Sequence, residues 1–155
     1  MRRADREIRE FDRMLAVADA CDCCRLGLLD GAGAYIVPLN FGYEAEGEKL
    51  TLYFHGAGQG KKIDLIREQK SVSFEMDTRH ALVEGETACA YSYRYQSVMG
   101  RGRIRLIEEY EEKVHGLQAI MAHYSRDREF AFGEEAVNRT AVIKLEVEAW
   151  SCKEH

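Results

Sequence analysis

The sequence predicts a mainly β domain, an antiparallel closed or half-closed barrel with helices packed outside. Three observations predict it. Short apolar runs are separated by glycine-rich turns, and strands joined by tight turns are antiparallel. Only two long stretches carry the three- and four-residue spacing of a helix. The regular strand–helix alternation of a doubly wound sheet is missing, and many strands with few helices favour a barrel.

The elements follow in order. Residues Asp5–Ala20 read as an amphipathic helix, with Ile8, Phe11, Leu15 and Ala18 on one face. "CRLGLL" is a first strand, closed by the turn "DGAG". "AYIVPLNFGYE" reads as one second strand and "AEGEK" as the next turn. "LTLYF" is a third strand, and it runs into "HGAGQG". "KKIDLIREQ" sets Ile63 and Ile66 on one face of a short helix. "SVSFEMD" is a fourth strand, and Tyr91–Leu106 forms a long strand or two. "EEYEEKVHGLQAIMAHY" is the second long helix, with Tyr110, Val114, Leu117, Ile120 and Met121 inside. "TAVIKLEVEAW" alternates as a final strand.

Composition bounds the function. The 155 residues suit one domain, spanning 1–155, with no linker, repeat or low-complexity tract. A chain of this length buries about 70% of its unfolded surface, so it folds without disulfides. With 22 basic and 27 acidic side chains the net charge is −5, against the basic excess of a nucleic-acid binder. No apolar run approaches a membrane span, and "MRRADREIREF" lacks the apolar core of a secretory signal. Five cysteines, an odd count, fit reduced thiols in the cytoplasm.

The stretch "LYFHGAGQGKKIDLI" carries the chemistry. A strand meets a glycine-rich loop, two lysines and the start of a helix. It is not a Walker loop: three residues, not four, separate Gly56 from Gly60, and Lys62 stands where a magnesium-binding hydroxyl is needed. The physics still favours phosphate. Glycines let backbone N–H groups approach an anion, and a helix N-terminus is partially positive. Lys61 and Lys62 add full charges there. The alternative is a surface turn with solvated lysines.

Here the chain resembles the flavin-binding split barrels of the pyridoxamine 5′-phosphate oxidase superfamily, and among them the Nim-type 5-nitroimidazole resistance proteins. "CDCCRLGL", "VPLNFGY", "FHGA…GKK" and, more weakly, "SVMGRGRI" carry the likeness, which runs from about residue 5 to 150. The resemblance implies an FMN whose phosphate is held around Gly60, Lys61 and Lys62. It implies that Val37, Pro38, Leu39 and Asn40 run beside the isoalloxazine ring, bordered by Phe54, His55 and Gly56. Ser97 and Val98 would approach from a further strand, and Trp150 would bring an aromatic side chain. It also implies a homodimer with FMN at the subunit interface. Pyridoxamine phosphate oxidases carry a C-terminal arginine segment for substrate phosphate; this sequence ends at "WSCKEH", so oxidation of pyridoxamine phosphate itself is not expected.

The expected activity is FMN-dependent reduction of a small aromatic or nitroaromatic compound. His55 is the candidate catalytic side chain, able to pass a proton or hold an anion near neutral pH; the other reading is a histidine that caps the loop. Two alternatives stay open, a non-catalytic FMN store or redox sensor, and a split barrel that binds haem or a deazaflavin. Cys21, Cys23 and Cys24 lack a matching second pair, so no metal site is expected; buried inert thiols are the reading. The tyrosines of "AYSYRYQS" read as one face of a half-buried strand. Arg101, Arg103 and Arg105 read as solvated or paired with the acidic helix that follows. His80, His115 and His123 read as surface or satisfied residues.

Overall fold

The computed structural model describes residues 3–31, 33–126, 128 and 130–155. A short strand β1 (Glu7–Ile8) precedes helix α1 (Phe11–Asp19). Strands β2 (Cys24–Asp30), β3 (Gly33–Leu39), β4 (Phe41–Glu46) and β5 (Lys49–Ala57) lead to helix α2 (Lys61–Glu68). Then come β6 (Ser71–Val83), β7 (Ser92–Ile107), α3 (Tyr110–Tyr124), α4 (Glu134–Arg139) and β8 (Thr140–Glu154). All recorded pairings are antiparallel.

Seven strands form one path, β3-β2-β6-β7-β8-β5-β4, with β1 paired to β8. The two ends of that path, β3 and β4, are consecutive in the chain and separated only by Asn40. The sheet therefore curls until its edges meet at one residue. This is a split barrel, and Asn40 marks the split.

Inward-facing residues fill the barrel. Leu26 and Leu28 of β2, Leu52 and Phe54 of β5, Met76, Val98, Ile143 and Leu145 are each 0% exposed. Alternate positions point inward because side chains alternate across a strand. Burying each such side chain stabilises the fold by roughly 1.5–3 kcal/mol. Ile63 and Ile66 of α2 join this core, so the short helix plugs one end of the barrel. A second, smaller cluster of Tyr53, Ile107, Ile120 and Val142 packs α3 on the outside.

Four elements differ from the sequence reading. The first helix begins at Phe11, not Asp5: Ile8 is buried as a strand residue opposite Cys152. "AYIVPLNFGYE" is two strands, because its halves pair with β2 and β5 at opposite ends of the path. The fourth strand continues to Val83 through an irregularity at Thr78–Ala81, where Arg79 takes φ 55. The helix α4 was not anticipated; it packs Val137 inward just before β8. In the turn "DGAG", Ala32 lies outside the described residues.

Candidate functional site

The glycine loop joins the end of β5 to α2. Gly60, the N-cap of α2, has φ 116 and ψ 167, a conformation open to glycine alone among the common residues. It lets the chain turn sharply into a helix whose first amides, on Lys61 and Lys62, find no carbonyl partner among the described backbone bonds. Those amides and the helix end favour an anion.

The two lysines point to different partners. Lys61 forms an ion pair with Asp30, and its Nζ lies 5.1 Å from the centre of the Tyr35 ring. It ties α2 to the β2–β3 hairpin. Lys62 instead folds back over β5. A Cβ added to Gly56 would sit 2.5 Å from its Nζ and 2.8 Å from its Cε. The absent side chain at Gly56 is thus what makes room for the ammonium. Lys62 has no ion pair among the described residues.

His55 stands beside this ammonium. Phe41 and Phe54 are paired, and Asn40 and His55 are their chain neighbours at the split end of that pairing. His55 is exposed, and Asn40 is exposed with its Nδ2 donating weakly to the Asp22 carbonyl at 3.4 Å. Partial desolvation, and then the charge of Lys62, hold the His55 imidazole below its ordinary value. Both effects favour the neutral imidazole, which can donate from one ring nitrogen and accept at the other.

Next to this rim runs β3. It bonds to β2 alone, so its other edge keeps unpaired backbone groups near the split. Val37 and Leu39 are half-buried and pack on the core, while Pro38 and Asn40 are exposed. Phe54 and Val98 are fully buried, which leaves only their backbone for any ligand.

Ser97 and Trp150 lie elsewhere. Ser97 pairs with Lys153 and Trp150 with Gly100, whereas His55 pairs with Val142 at the opposite end of β8. From Val142 to Trp150 the strand runs about 26 Å, at roughly 3.3 Å per residue. Trp150 packs edge-on against Phe11, with ring centres 5.7 Å apart at 89°. One chain therefore assembles Asn40, His55, Gly56, Gly60, Lys61 and Lys62, and sets Ser97, Val98 and Trp150 apart.

The other constellations are structural. Cys21 and Cys24 are buried, and burial pushes the Cys21 thiol up to about 12 and the Cys24 thiol well above its ordinary value. Such thiols are inert. Among the described residues no three His, Cys, Asp or Glu side chains gather as metal ligands. Arg105 pairs with Glu112 of α3, as read from sequence, but Arg103 pairs with Glu146 and Glu148 of β8. Tyr91 and Tyr93 are more exposed than a half-buried strand face requires, at 48% and 51%. The His123 side chain is 3% exposed; Nε2 lies 2.9 Å from the Cys21 carbonyl, and Nδ1 has no hydrogen-bond partner. No helix of the described residues is long and apolar enough to cross a membrane. The tie of Lys61 to Asp30 and Tyr35 escaped the sequence reading, because no local pattern links those positions.

An antiparallel split barrel with a positively charged cradle at the end of β5 defines the class of domain. Residues 10–154 match the family described as pyridoxamine 5′-phosphate oxidase, and the chain belongs to that family. It is 35% identical to a candidate 5-nitroimidazole antibiotic resistance protein from Bacteroides thetaiotaomicron, over 96% of this chain and 86% of that one, with a TM-score of 0.82. Two more distant structures share the fold. The flavocytochrome Anf3 from Azotobacter vinelandii is 21% identical, over 100% of this chain and 72% of that one, with a TM-score of 0.79. An FAD- and haem-binding protein from Mycobacterium smegmatis is 18% identical, over 96% and 72%, with a TM-score of 0.81. A search of curated proteins gave no match.

Proposed function

We propose that this protein is an FMN-dependent oxidoreductase that reduces a small aromatic or nitroaromatic compound. The observation that carries the reading is the Lys62 ammonium lying over Gly56, beside the free first-turn amides of α2. That arrangement suits a phosphate monoester, which takes charge-assisted hydrogen bonds from both kinds of donor. The relative from Bacteroides thetaiotaomicron, named for 5-nitroimidazole resistance, supports the choice of substrate class.

Bound FMN supplies two-electron redox chemistry at its ring. The chain's own residues do the rest. Lys62 and the α2 amides hold the phosphate. The free edge of β3, at Val37, Pro38 and Leu39, offers backbone groups to the edge of the ring. Asn40 and His55 line the open rim, where a flat substrate stacks. The neutral His55 imidazole hydrogen-bonds a polar substituent there and relays a proton from water to it.

The separation of Ser97, Val98 and Trp150 from Lys62 supports a homodimer in this reading. Those residues of a second copy would close the ring end of the site.

The test is the visible spectrum of the purified protein, then release and chromatography of the chromophore. A two-banded flavin spectrum with FMN released is expected, followed by anaerobic oxidation of the reduced protein by a nitroimidazole. A sharp Soret band, or a colourless protein that takes up no added FMN, would overturn the reading.

A further inference from the structure

Where β3 hands over to β4, neither ladder holds the connecting peptide. Leu39 pairs with Cys24 of β2 and Phe41 with Phe54 of β5, and Asn40 belongs to neither pairing. Its own side chain adds one long bond, from Nδ2 to the Asp22 carbonyl at 3.4 Å. The firm contact comes from α3. The Phe41 N–H donates to the Tyr124 hydroxyl at 3.1 Å, and that hydroxyl donates to the Asp22 carbonyl at 2.8 Å. An N–H only donates and a carbonyl only accepts, so both directions are fixed. Phe41 is 0% exposed, so its N–H has no water to turn to. One oxygen thus ties the start of β4 to the loop between α1 and β2.

The last turn of α3 is placed for this. A Cβ added at Gly42 would stand 2.3 Å from the Ala119 carbonyl carbon and from the Ile120 nitrogen. No side chain fits there, so helix and strand meet backbone to backbone one residue past Phe41. Two neighbours of Tyr124 hold the end of α1 and its loop. His123 sets Nε2 2.9 Å from the Cys21 carbonyl, with its ring centre 4.5 Å from that of Phe41. Arg126 pairs with Asp19, which also accepts from the Tyr43 hydroxyl at 2.8 Å. Among these three, Tyr124 is the one that bonds to the peptide opening β4.

This inference rests on the FMN reading, in which the free edge of β3 meets the ring and Asn40 and His55 line the rim. We propose that Tyr124 is the positioning residue of that rim. Its hydroxyl fixes the Asn40–Phe41 peptide. That peptide sets where β3 ends and, through the Phe41–Phe54 pair, where His55 stands. Tyr124 itself touches neither cofactor nor substrate. Without the hydroxyl its ring still packs edge-on to His123, with centres 4.7 Å apart at 87°. The peptide, however, loses its anchor and turns, and the rim loses its fixed shape.

Tyr124→Phe tests this, because it keeps the ring and removes only the hydroxyl. Arg126→Ala is the control: it cuts the neighbouring tie to Asp19, at an exposed side chain, and leaves the Phe41 N–H alone. Each protein is loaded with FMN, and the visible circular dichroism of the flavin is recorded. Each is then reduced and oxidised anaerobically by 2-methyl-5-nitroimidazole over a range of concentrations. Tyr124→Phe changes the flavin dichroism and raises the half-saturating nitroimidazole concentration about 2- to 10-fold, the effect of one lost hydrogen bond. Arg126→Ala lowers the melting temperature and keeps the wild-type dichroism and half-saturation. Wild-type behaviour in Tyr124→Phe with FMN bound, or the same changes in Arg126→Ala, overturns the positioning role alone. A wild type that takes up no FMN overturns the FMN reading and this role together. Hydrogen exchange of the Phe41 amide in the wild type adds a test that needs no variant to fold. Slow exchange is expected, and exchange as fast as in an open loop overturns the proposal.

Discussion

The two ends of β8 are built for different tasks. At its start, Thr140–Ile143 pair with Phe54–Ala57, and the surface there is polar and positive: Lys62 over Gly56, with His55 and the free amides of α2 nearby. At its far end, Trp150–Glu154 pair with Gln96–Gly100, and exposed apolar side chains lie beside that pairing. Met99 is 58% exposed there, Ile36 across the sheet is 56% exposed, and both border one shallow hollow floored by Gly27 and Phe74. The first end is equipped to hold an anion. The second offers greasy area with little to bind in water, the condition of a surface that gains by being covered. A cofactor with a phosphate at one pole and a flat ring at the other has use for both kinds of surface, and in one chain they lie at opposite ends of β8.

The largest effect should come from the charged end. Lys62→Ala removes a charge-assisted hydrogen bond of about 1.5–3 kcal/mol, so FMN affinity should fall by roughly 10- to 100-fold in a fluorescence titration. Lys61→Ala should cost a few-fold at most, because that lysine already serves Asp30 and Tyr35. Equal losses in the two variants would erase the division between the lysines. An unchanged Kd in Lys62→Ala would remove the phosphate from this loop altogether.

How the lysines divide was not legible in the sequence, although the loop was. Glycines before a helix and lysines at its start are local signals, since the loop's geometry depends on the residues that form it. Which lysine is free depends on Asp30 and Tyr35, brought in by a hairpin from another part of the chain. The same contrast runs through the fold. Period-two runs located nearly every strand, because burial on one face writes itself into each strand's own residues. The break at Asn40 was invisible: "YIVPLNFGY" has an unbroken extended pattern, and only the choice of pairing partner splits it. Ile8 fits a helical face as well as a strand, and its pairing with Cys152 decides the matter. The Tyr124 hydroxyl reaches Phe41 and Asp22 across 83 and 102 positions of the chain, so no spacing in the sequence announces it.

A mixing experiment tests whether two chains share a site. Lys62→Ala and Trp150→Leu each damage one end, the leucine keeping apolar volume against Phe11. If each site takes Lys62 from one copy and Trp150 from the other, a mixed dimer has one intact site. After equal exchange about half the dimers are mixed, so about a quarter of all sites should bind FMN as the wild type does. If both ends serve one site within a chain, no mixture recovers any, and the far end of β8 has another purpose.

The smallest effect is the one most specific to the cradle. Without ligand, desolvation and the Lys62 charge hold His55 below its ordinary value of 6.5. The unfolded chain therefore binds this proton at higher pH than the folded one does. The contribution of His55 to stability is complete above about pH 6.5 and is lost as pH falls through the folded value. His55→Gln should flatten that part of the stability profile in urea titrations. A phosphate placed beside Lys62 reverses the electrostatics, since a nearby anion favours the imidazolium. Titration of the His55 ring protons by NMR should then show its pKa rise when FMN binds. A rise confined to His55 puts the bound anion at the end of β5. No rise, with FMN demonstrably bound, would mean that the phosphate sits elsewhere and that Lys62 lies over Gly56 for packing alone.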